Sequence, residues 1–201
     1  MQGVKIVTAT AENLPLIASI QHDFISGKKA FLCLPLSCTS SGMEKELESK
    51  YKKCPDMMNV SGLAVSEDTG EPLGFIQLAL HGMPCSVHTC LPLECYVDSL
   101  AVLPASRGLG VGTKLLEWAE DVGRERGCDR MTLGVLNGNP AERLYKRTGY
   151  ARVEESCVDV CCMCFFITFL FGRPYGICHK EWGGKMMEKE LPPGGGGEME
   201  R

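Results

Sequence analysis

Residues 98–113 read DSLAVLPASRGLGVGT, an apolar stretch followed by a proline and a glycine-rich turn. The alternation before the turn predicts a strand over Glu94–Leu103, which Pro104 ends. The apolar spacing after it predicts an amphipathic helix over Val111–Arg126. A turn that joins a strand directly to a helix points several backbone N–H groups and the positive end of the helix dipole at one place. We therefore expect an anion site at this turn, of a kind suited to phosphate.

Two familiar phosphate loops do not fit this turn. The dinucleotide fingerprint G-x-G-x-x-G fails because its last position holds Thr113 when counted from Gly108 and Leu115 when counted from Gly110. A Walker loop needs Gly-Lys followed by Ser or Thr, whereas Lys114 here follows Thr113. The pattern thus argues against an enzyme that binds a nicotinamide cofactor or a nucleoside triphosphate through such a loop.

The remaining chain predicts further strands and helices on both sides of the turn. In chain order they are the strand Val4–Thr8, a helix from Ala11 to about His22, a charged helix over Met43–Lys53, a hairpin of Leu63–Ser66 and Pro72–Leu80, the strand and helix described above, the strand Met131–Leu136, a helix over Asn139–Arg147, and closing strands at Tyr150–Val153 and about Lys185–Leu191. We interpret the charged helix as solvent-exposed, because Glu and Lys residues are interleaved along it. This order predicts one α/β domain.

Composition limits the classes of function. The 201 residues carry 21 basic and 25 acidic side chains, a net charge of −4, which argues against a nucleic-acid binder. The longest apolar run, Val160–Phe171, has 12 residues, and a membrane-spanning helix needs about 20. No signal-peptide pattern opens the chain, so we expect its twelve cysteines to be thiols in a reducing, cytoplasmic compartment.

The glycine turn and its neighbours resemble a known family. Arg107–Gly112 follows R-x-x-G-x-G, Asp98–Pro104 precedes it, and Asn139–Tyr150 reads NPAERLYKRTGY at the expected distance downstream. Together these segments resemble the GNAT superfamily of N-acetyltransferases. The resemblance covers about residues 4–155 and extends to 185–191. It implies a single GNAT-like α/β domain with a mixed central sheet, helices on both faces and a splayed strand pair that binds acetyl-CoA.

Two segments lie outside the expected family core. The domain is expected to cover residues 1–191, with an insertion rich in Cys and aromatic residues at about 156–184 and a disordered, Gly-rich tail at 192–201. A zinc site in the insertion would use Cys161 or Cys162 with Cys164, Cys178 and His179, but this spacing does not reproduce paired C-x-x-C motifs. We favour a strand pair whose cysteines act as small hydrophobes, with no metal.

The resemblance also implies where the co-substrate acetyl-CoA binds. It would lie between the strands Glu94–Leu103 and Met131–Leu136, with its pantetheine arm along the first strand and its pyrophosphate in the glycine turn. Asn139 would hydrogen-bond the arm, with Asn137 as an alternative. The residues implied as cofactor-binding are therefore Leu100, Ala101, Val102, Arg107, Gly108, Leu109, Gly110, Val111, Gly112, Thr113 and Asn139.

The family reaction is direct attack of a neutral amine on the thioester carbonyl, which the N–H of Val102 would polarise. Tyr145 matches the tyrosine that acts as general acid at the sulfur. Histone-acetylating relatives carry a glutamate base at the position that matches Tyr96, and that glutamate is absent here. Glu94 and Asp98 lie on the same strand face as Tyr96, and either could act as the base through a water molecule. Glu94 is the first candidate and Asp98 the second. The nearby His81 and His88 are further alternatives.

These residues predict an acetyl-CoA-dependent N-acetyltransferase. The acceptor would be a primary amine on a small molecule or a protein, and the acidic charge balance leans towards a small cationic amine. The alternative is a catalytically inactive acyl-CoA-binding sensor, favoured by the missing strand glutamate. Strand exchange through the last hairpin, a habit of the family, would give a homodimer.

Overall fold

The computed structural model describes residues 3–26, 40–85, 88–153 and 184–192. Strands are numbered β and helices α in chain order. They are β1 (Val4–Thr8), a 3₁₀ turn (Ala11–Asn13), α1 (Leu14–Ser26), α2 (Ser40–Lys53), α3 (Asp56–Asn59), β2 (Ser61–Ser66), β3 (Pro72–Leu80), β4 (Glu94–Val102), a 3₁₀ turn (Pro104–Ser106), α4 (Val111–Glu125), β5 (Arg130–Leu136), α5 (Glu142–Arg147), β6 (Ala151–Arg152) and β7 (Gly184–Glu190).

The strands form one seven-stranded mixed sheet in the order β1-β2-β3-β4-β5-β7-β6. Strands β4 and β5 run parallel, and every other neighbouring pair is antiparallel. A parallel pair needs a crossover connection, and α4 supplies it. The predicted α/β fold with a mixed central sheet is confirmed.

Helices cover both faces of this sheet, as adjacent residues of β3 demonstrate. Phe75 is buried in a cluster with Ile17 of α1 and Leu47 of α2. Ile76 is buried in a second cluster with Leu115 of α4. Neighbouring side chains of a strand point to opposite faces, so α1 and α2 lie on one face and α4 lies on the other.

The charged helix α2 is not the fully solvent-exposed helix that the sequence predicts. Leu47 and Tyr51 are buried in the core between α1, α2 and the sheet. Because residues four apart share one helix face, this pair turns that face inward, while Lys52 and Lys53 stay exposed. The exposed-helix interpretation was therefore wrong for one face, and this correction bears on the site described below.

Several expectations lie outside the described residues. These include the insertion at 156–184, apart from Gly184, which begins β7, and nearly all of the tail at 192–201. The zinc-site candidates of the insertion also lie outside the described residues: Cys161, Cys162, Cys164, Cys178 and His179. Elsewhere, in the described ranges, no three His, Cys, Asp or Glu side chains form a metal-binding group. No helix in those ranges has the length and apolar character needed to cross a bilayer.

Candidate functional site

Strands β4 and β5 separate partway along their length. Their parallel pairing ends at Val97 and Leu133, yet β4 continues to Val102 and β5 to Leu136. Over these last residues β4 stays paired with β3, and β5 stays paired with β7. The result is a wedge-shaped opening in the sheet, lined by residues 98–102 on one side and 134–136 on the other. We call it the β4–β5 groove.

A β-bulge marks the closed end of the groove. Ser99 pairs with Gln77 and Val97 pairs with Leu78, so Asp98 is the extra residue of β4. A bulge bends its strand and redirects the bulged side chain. The bend at Asp98 therefore coincides with the point where β4 leaves β5.

The backbone of β4 presents hydrogen-bonding groups to the groove. The N–H of Leu103 donates to the carbonyl of Leu73 on β3, at 3.0 Å. Because backbone groups alternate in direction along a strand, those of Ala101 also face β3, and those of Leu100 and Val102 face the groove. Of the three strand residues predicted to bind cofactor, Leu100 and Val102 thus direct their backbone groups into the groove, and Ala101 does not.

The glycine turn lies at the open mouth of the groove, directly after β4. Gly108 and Gly110 have φ values of +82° and +83°, and a Cβ at either position would meet nothing within 4 Å. Their backbone conformation, not crowding, requires glycine. Gly112 differs, because a Cβ there would lie 2.8 Å from Leu144 Cδ2. Glycine at this position allows α4 to pack closely against α5.

The turn ends at the N-terminus of α4. The first backbone bond of the helix runs from the N–H of Lys114 to the carbonyl of Gly110, at 3.1 Å. The N–H groups of Val111, Gly112 and Thr113 precede that bond and have no partner within the helix. With the helix dipole behind them, these donors suit an anion at the mouth of the groove. The turn therefore presents backbone donors of the kind that bind anions.

Arg107 and Asn139 each make a contact that shapes the mouth. Arg107 Nε donates to the carbonyl oxygen of Val102, at 3.2 Å, and so closes the end of β4. Asn139 Oδ1 accepts a hydrogen bond from the N–H of Ala141, at 3.0 Å, just before α5. The amide nitrogen of Asn139 is then the group it could offer to a ligand.

Tyr145 lies in α5 on the α4 face of the sheet. Its side chain is 7% exposed and belongs to the core cluster around α4. Burial raises the pKa of Tyr145 to about 12, so its hydroxyl keeps its proton throughout the neutral range. The ring of Tyr150 lies edge-on to it, with centroids 6.2 Å apart. The Tyr150 hydroxyl is buried with no hydrogen-bond partner among the described residues.

Asp98 lies at the closed end of the groove and faces α2. Its Oδ2 is 2.7 Å from Lys50 Nζ, with the two side chains 2% and 19% exposed respectively. Its Oδ1 accepts a hydrogen bond from Cys85 Sγ, at 3.3 Å. The Asp98 carboxylate is thus buried beside the Lys50 ammonium group, which belongs to the helix that the sequence analysis interpreted as solvent-exposed.

Glu94 lies at the paired end of β4 in a separate network. It accepts hydrogen bonds from the N–H of Leu91, from Thr132 Oγ1 and from His88 Nε2, the last at 2.8 Å. Burial alone would raise the pKa of Glu94, but these bonds outweigh burial and hold its pKa below the usual range. Four residues of strand, about 13 Å, separate it from Asp98. The structure does not bring these two candidate bases together.

The remaining candidates and one missed residue complete the site. His81 Nδ1 lies 2.8 Å from the carbonyl oxygen of Cys90, within the loop that precedes β4. Sequence reasoning missed Lys50 entirely. The local sequence could have placed Lys50 at the edge of a buried helix face, since it lies three residues after Leu47 and beside Tyr51, but it carries no sign of the contact with Asp98.

Comparisons with known proteins agree with this fold. The model of a family described as the acetyltransferase (GNAT) family matches residues 33–150. The thialysine N-epsilon-acetyltransferase of Mus musculus is 37% identical over 62 residues, which cover 30% of this chain and 36% of that protein. The match to the Bos taurus enzyme of the same name is 26% identical over 127 residues and covers 54% of this chain and 75% of that protein.

Solved structures show the same fold at low sequence identity. An N-acetyltransferase from Staphylococcus aureus superposes with a TM-score of 0.62 at 18% identity, covering 94% of this chain and 99% of that one. The PaiA N-acetyltransferase of Thermoplasma acidophilum, solved with coenzyme A, has a TM-score of 0.58 at 14% identity, with coverage of 94% and 99%.

Proposed function

This chain belongs to the acetyltransferase (GNAT) family, and we propose that it transfers the acetyl group of acetyl-CoA to a primary amine by direct attack. The observation that carries the proposal is the β4–β5 groove, with an open strand edge on one side and the N-terminus of α4 at its mouth. An extended ligand with an anionic end fits both features.

The direction of the bound co-substrate follows from the position of the turn. Backbone N–H groups between Arg107 and Thr113 would hold the pyrophosphate at the mouth. The arm would then run along Leu100 and Val102, as an added strand does, with Asn139 donating from the other side. Because the anionic end is at the mouth, the thioester points towards the closed end, where Asp98 lies.

We assign two chemical roles to side chains of this chain. Tyr145, whose hydroxyl is protonated at neutral pH, would donate a hydrogen bond to the leaving sulfur. Asp98 would accept a proton from the attacking amine, directly or through water. Its place at the bulge, where β4 leaves β5, favours it over Glu94, which lies about 13 Å away at the paired end of β4. We assign polarisation of the thioester carbonyl to the backbone N–H of Val102, which faces the groove.

The acceptor class is proposed from charge. The Asp98 carboxylate binds an ammonium group, that of Lys50, and a cationic acceptor would take the place of that group. Two of the matched relatives are named thialysine N-epsilon-acetyltransferases, so a primary amine at the end of a short chain is the first acceptor to test. A protein amine remains the second acceptor class.

The rival function is an acyl-CoA sensor without turnover. The absence of a glutamate at position 96, where Tyr96 stands, favours it. The presence of Tyr145 and of an acid at the bulge favours an enzyme.

Mass spectrometry separates the two functions. The full chain is incubated with acetyl-CoA and a panel of amines that includes thialysine, lysine, short diamines and a peptide with a free N-terminus. Acetylated products are detected by mass, since twelve cysteines would react with thiol dyes. An acetylated amine that depends on Tyr145 supports the enzyme. Acetyl-CoA binding with no acetylated product from any amine supports the sensor.

A further inference from the structure

We propose that Lys50 is an internal acceptor, which this chain's own site acetylates when no external amine is bound. The inference rests on the proposed function, because it needs an acetyl group delivered into the β4–β5 groove. It extends that function by assigning a modification site to a residue of α2.

The first observation is the contact itself. Lys50 Nζ lies 2.7 Å from Asp98 Oδ2, the carboxylate to which we assign the amine's proton. An acceptor amine must place its nitrogen beside that same group before it attacks. Lys50 therefore already occupies the position that the proposed mechanism requires of a substrate.

The second observation is the position of Asp98 along β4. Asp98 is the bulged residue at the closed end of the groove, and the open backbone edge begins at Leu100. Two residues of strand span about 7 Å. A lysine carries its ammonium group on a flexible four-carbon stem, so rotation of that stem covers a distance of this order. Lys50 can thus reach from Asp98 towards the open strand edge.

The third observation is selectivity along the same helix. Lys45, Lys52 and Lys53 are exposed on α2, whereas Lys50 is mostly buried. Chemical acetylation by free acetyl-CoA would modify the exposed lysines first. Two other sheltered lysines, Lys185 and Lys189, lie on β7 and pair with Glu142 and Glu120, not with Asp98. Modification centred on Lys50 would therefore report transfer within the site.

The reaction balances with the groups named. The lysine ammonium loses a proton through Asp98 to solvent, and the neutral nitrogen attacks the thioester carbonyl. A C–N bond forms, the C–S bond breaks, and the sulfur takes a proton supplied by Tyr145, which regains one from the nitrogen through water. In sum, acetyl-CoA and a lysine ammonium give acetyl-lysine, free CoA and one proton.

The contact also predicts competition. A cationic acceptor needs the Asp98 carboxylate that Lys50 holds, so the acceptor and Lys50 exclude one another. Acetylation of Lys50 removes its charge and ends the ion pair. Self-acetylation should therefore fall as the concentration of a good acceptor amine rises.

The test uses the full chain with acetyl-CoA and no amine, followed by intact-mass measurement and peptide mapping. We expect Lys50 to be acetylated about tenfold faster than Lys52 or Lys53, because only Lys50 is held near the reacting centre. The rate constant should not depend on protein concentration, as an intramolecular step requires. Lys50→Arg keeps the charge beside Asp98 and should lose the modification. Lys53→Arg, on the same helix, should keep it.

Three results would overturn the proposal. The first is an unmodified Lys50 in a preparation that acetylates an external amine. The second is equal modification of Lys50, Lys52 and Lys53, which indicates chemical acetylation. The third is undiminished Lys50 modification in Tyr145→Phe. If acetyl-CoA does not bind at all, the proposed function fails, and this inference falls with it.

Discussion

Val97 of β4 and Leu133 of β5 form the last pair of the only parallel ladder in the described sheet. The next residue of β4, Asp98, is the bulge that shifts the register against β3. At Asp98 the pairing of β4 with β5 ends and the strand bends. The Asp98 carboxylate contacts Lys50. The groove and the proposed base have the same structural origin.

Gly110 tests the proposed phosphate turn. Gly110→Ala places a side chain at φ +83°, which should cost about 1 kcal/mol of stability and rearrange the backbone N–H groups. We expect acetyl-CoA affinity, measured by calorimetry, to fall about tenfold or more, the equivalent of about 1.4 kcal/mol. Gly70→Ala is the matched control, since Gly70 has φ +71° and open space in the β2–β3 turn. It should lose similar stability and keep its affinity. Equal affinities in both variants would contradict the assignment.

Tyr145 tests the proposed hydrogen bond to the sulfur. Tyr145→Phe should lower kcat about a hundredfold with little change in acetyl-CoA affinity, because the lost hydroxyl acts only in the transition state. Tyr150→Phe is the control from the same aromatic pair, and it removes a hydroxyl that has no partner among the described residues. That variant should keep kcat and be as stable as the parent or more so. A normal kcat in Tyr145→Phe would remove this residue from the mechanism.

A pair of isosteric variants distinguishes the role of Asp98 from that of Glu94. Asp98→Asn should lower kcat about a hundredfold, because the amide cannot accept the amine's proton. Glu94→Gln should act mainly on folding, with a loss of about 1–3 kcal/mol, because it disturbs a buried hydrogen-bond network. Steady-state kinetics and thermal unfolding of both variants make the comparison. A larger kcat loss in Glu94→Gln than in Asp98→Asn would reverse the assignment.

Glu142 gives a prediction for pH and stability. Lys146 and Lys185 hold the pKa of Glu142 at about 2, below its ordinary value of 4.5. A lowered pKa contributes stability above the ordinary value, and that contribution is lost as the pH falls towards about 2. Glu142→Gln should therefore destabilise the protein by about 0.5 kcal/mol at pH 7 and by much less near pH 2.

A glutamate on the neighbouring helix controls for loss of charge alone. Glu117 lies 3.9 Å from Lys114, and both side chains are well exposed. Glu117→Gln should leave the free energy of unfolding unchanged at both pH values. A Glu142→Gln effect that persists at pH 2 would show that the carboxylate does not act through its lysines.

The strand and the helix on either side of the glycine turn could be predicted from the sequence alone, because glycine and apolar periodicity are local signals. The extent of α2 and its buried face were missed, because only three apolar residues, Met43, Leu47 and Tyr51, stand among many charges in its sequence. The four-residue helix α3 carries too short a pattern to be recognised. The bulge at Asp98 depends on pairing with β3, and its contact with Lys50 joins residues 48 positions apart. Neither has a signature in the local sequence.

The central claim is that this chain binds acetyl-CoA, which we place in the β4–β5 groove. Thermal unfolding of the full chain with acetyl-CoA, and with NADH and ATP as controls, tests it most directly. At a ligand concentration 100 times the dissociation constant, binding adds about 2.7 kcal/mol. For a domain of this size that corresponds to a Tm increase of about 5–11 °C. We predict this increase with acetyl-CoA and none with NADH or ATP. An unchanged Tm at millimolar acetyl-CoA would contradict the account.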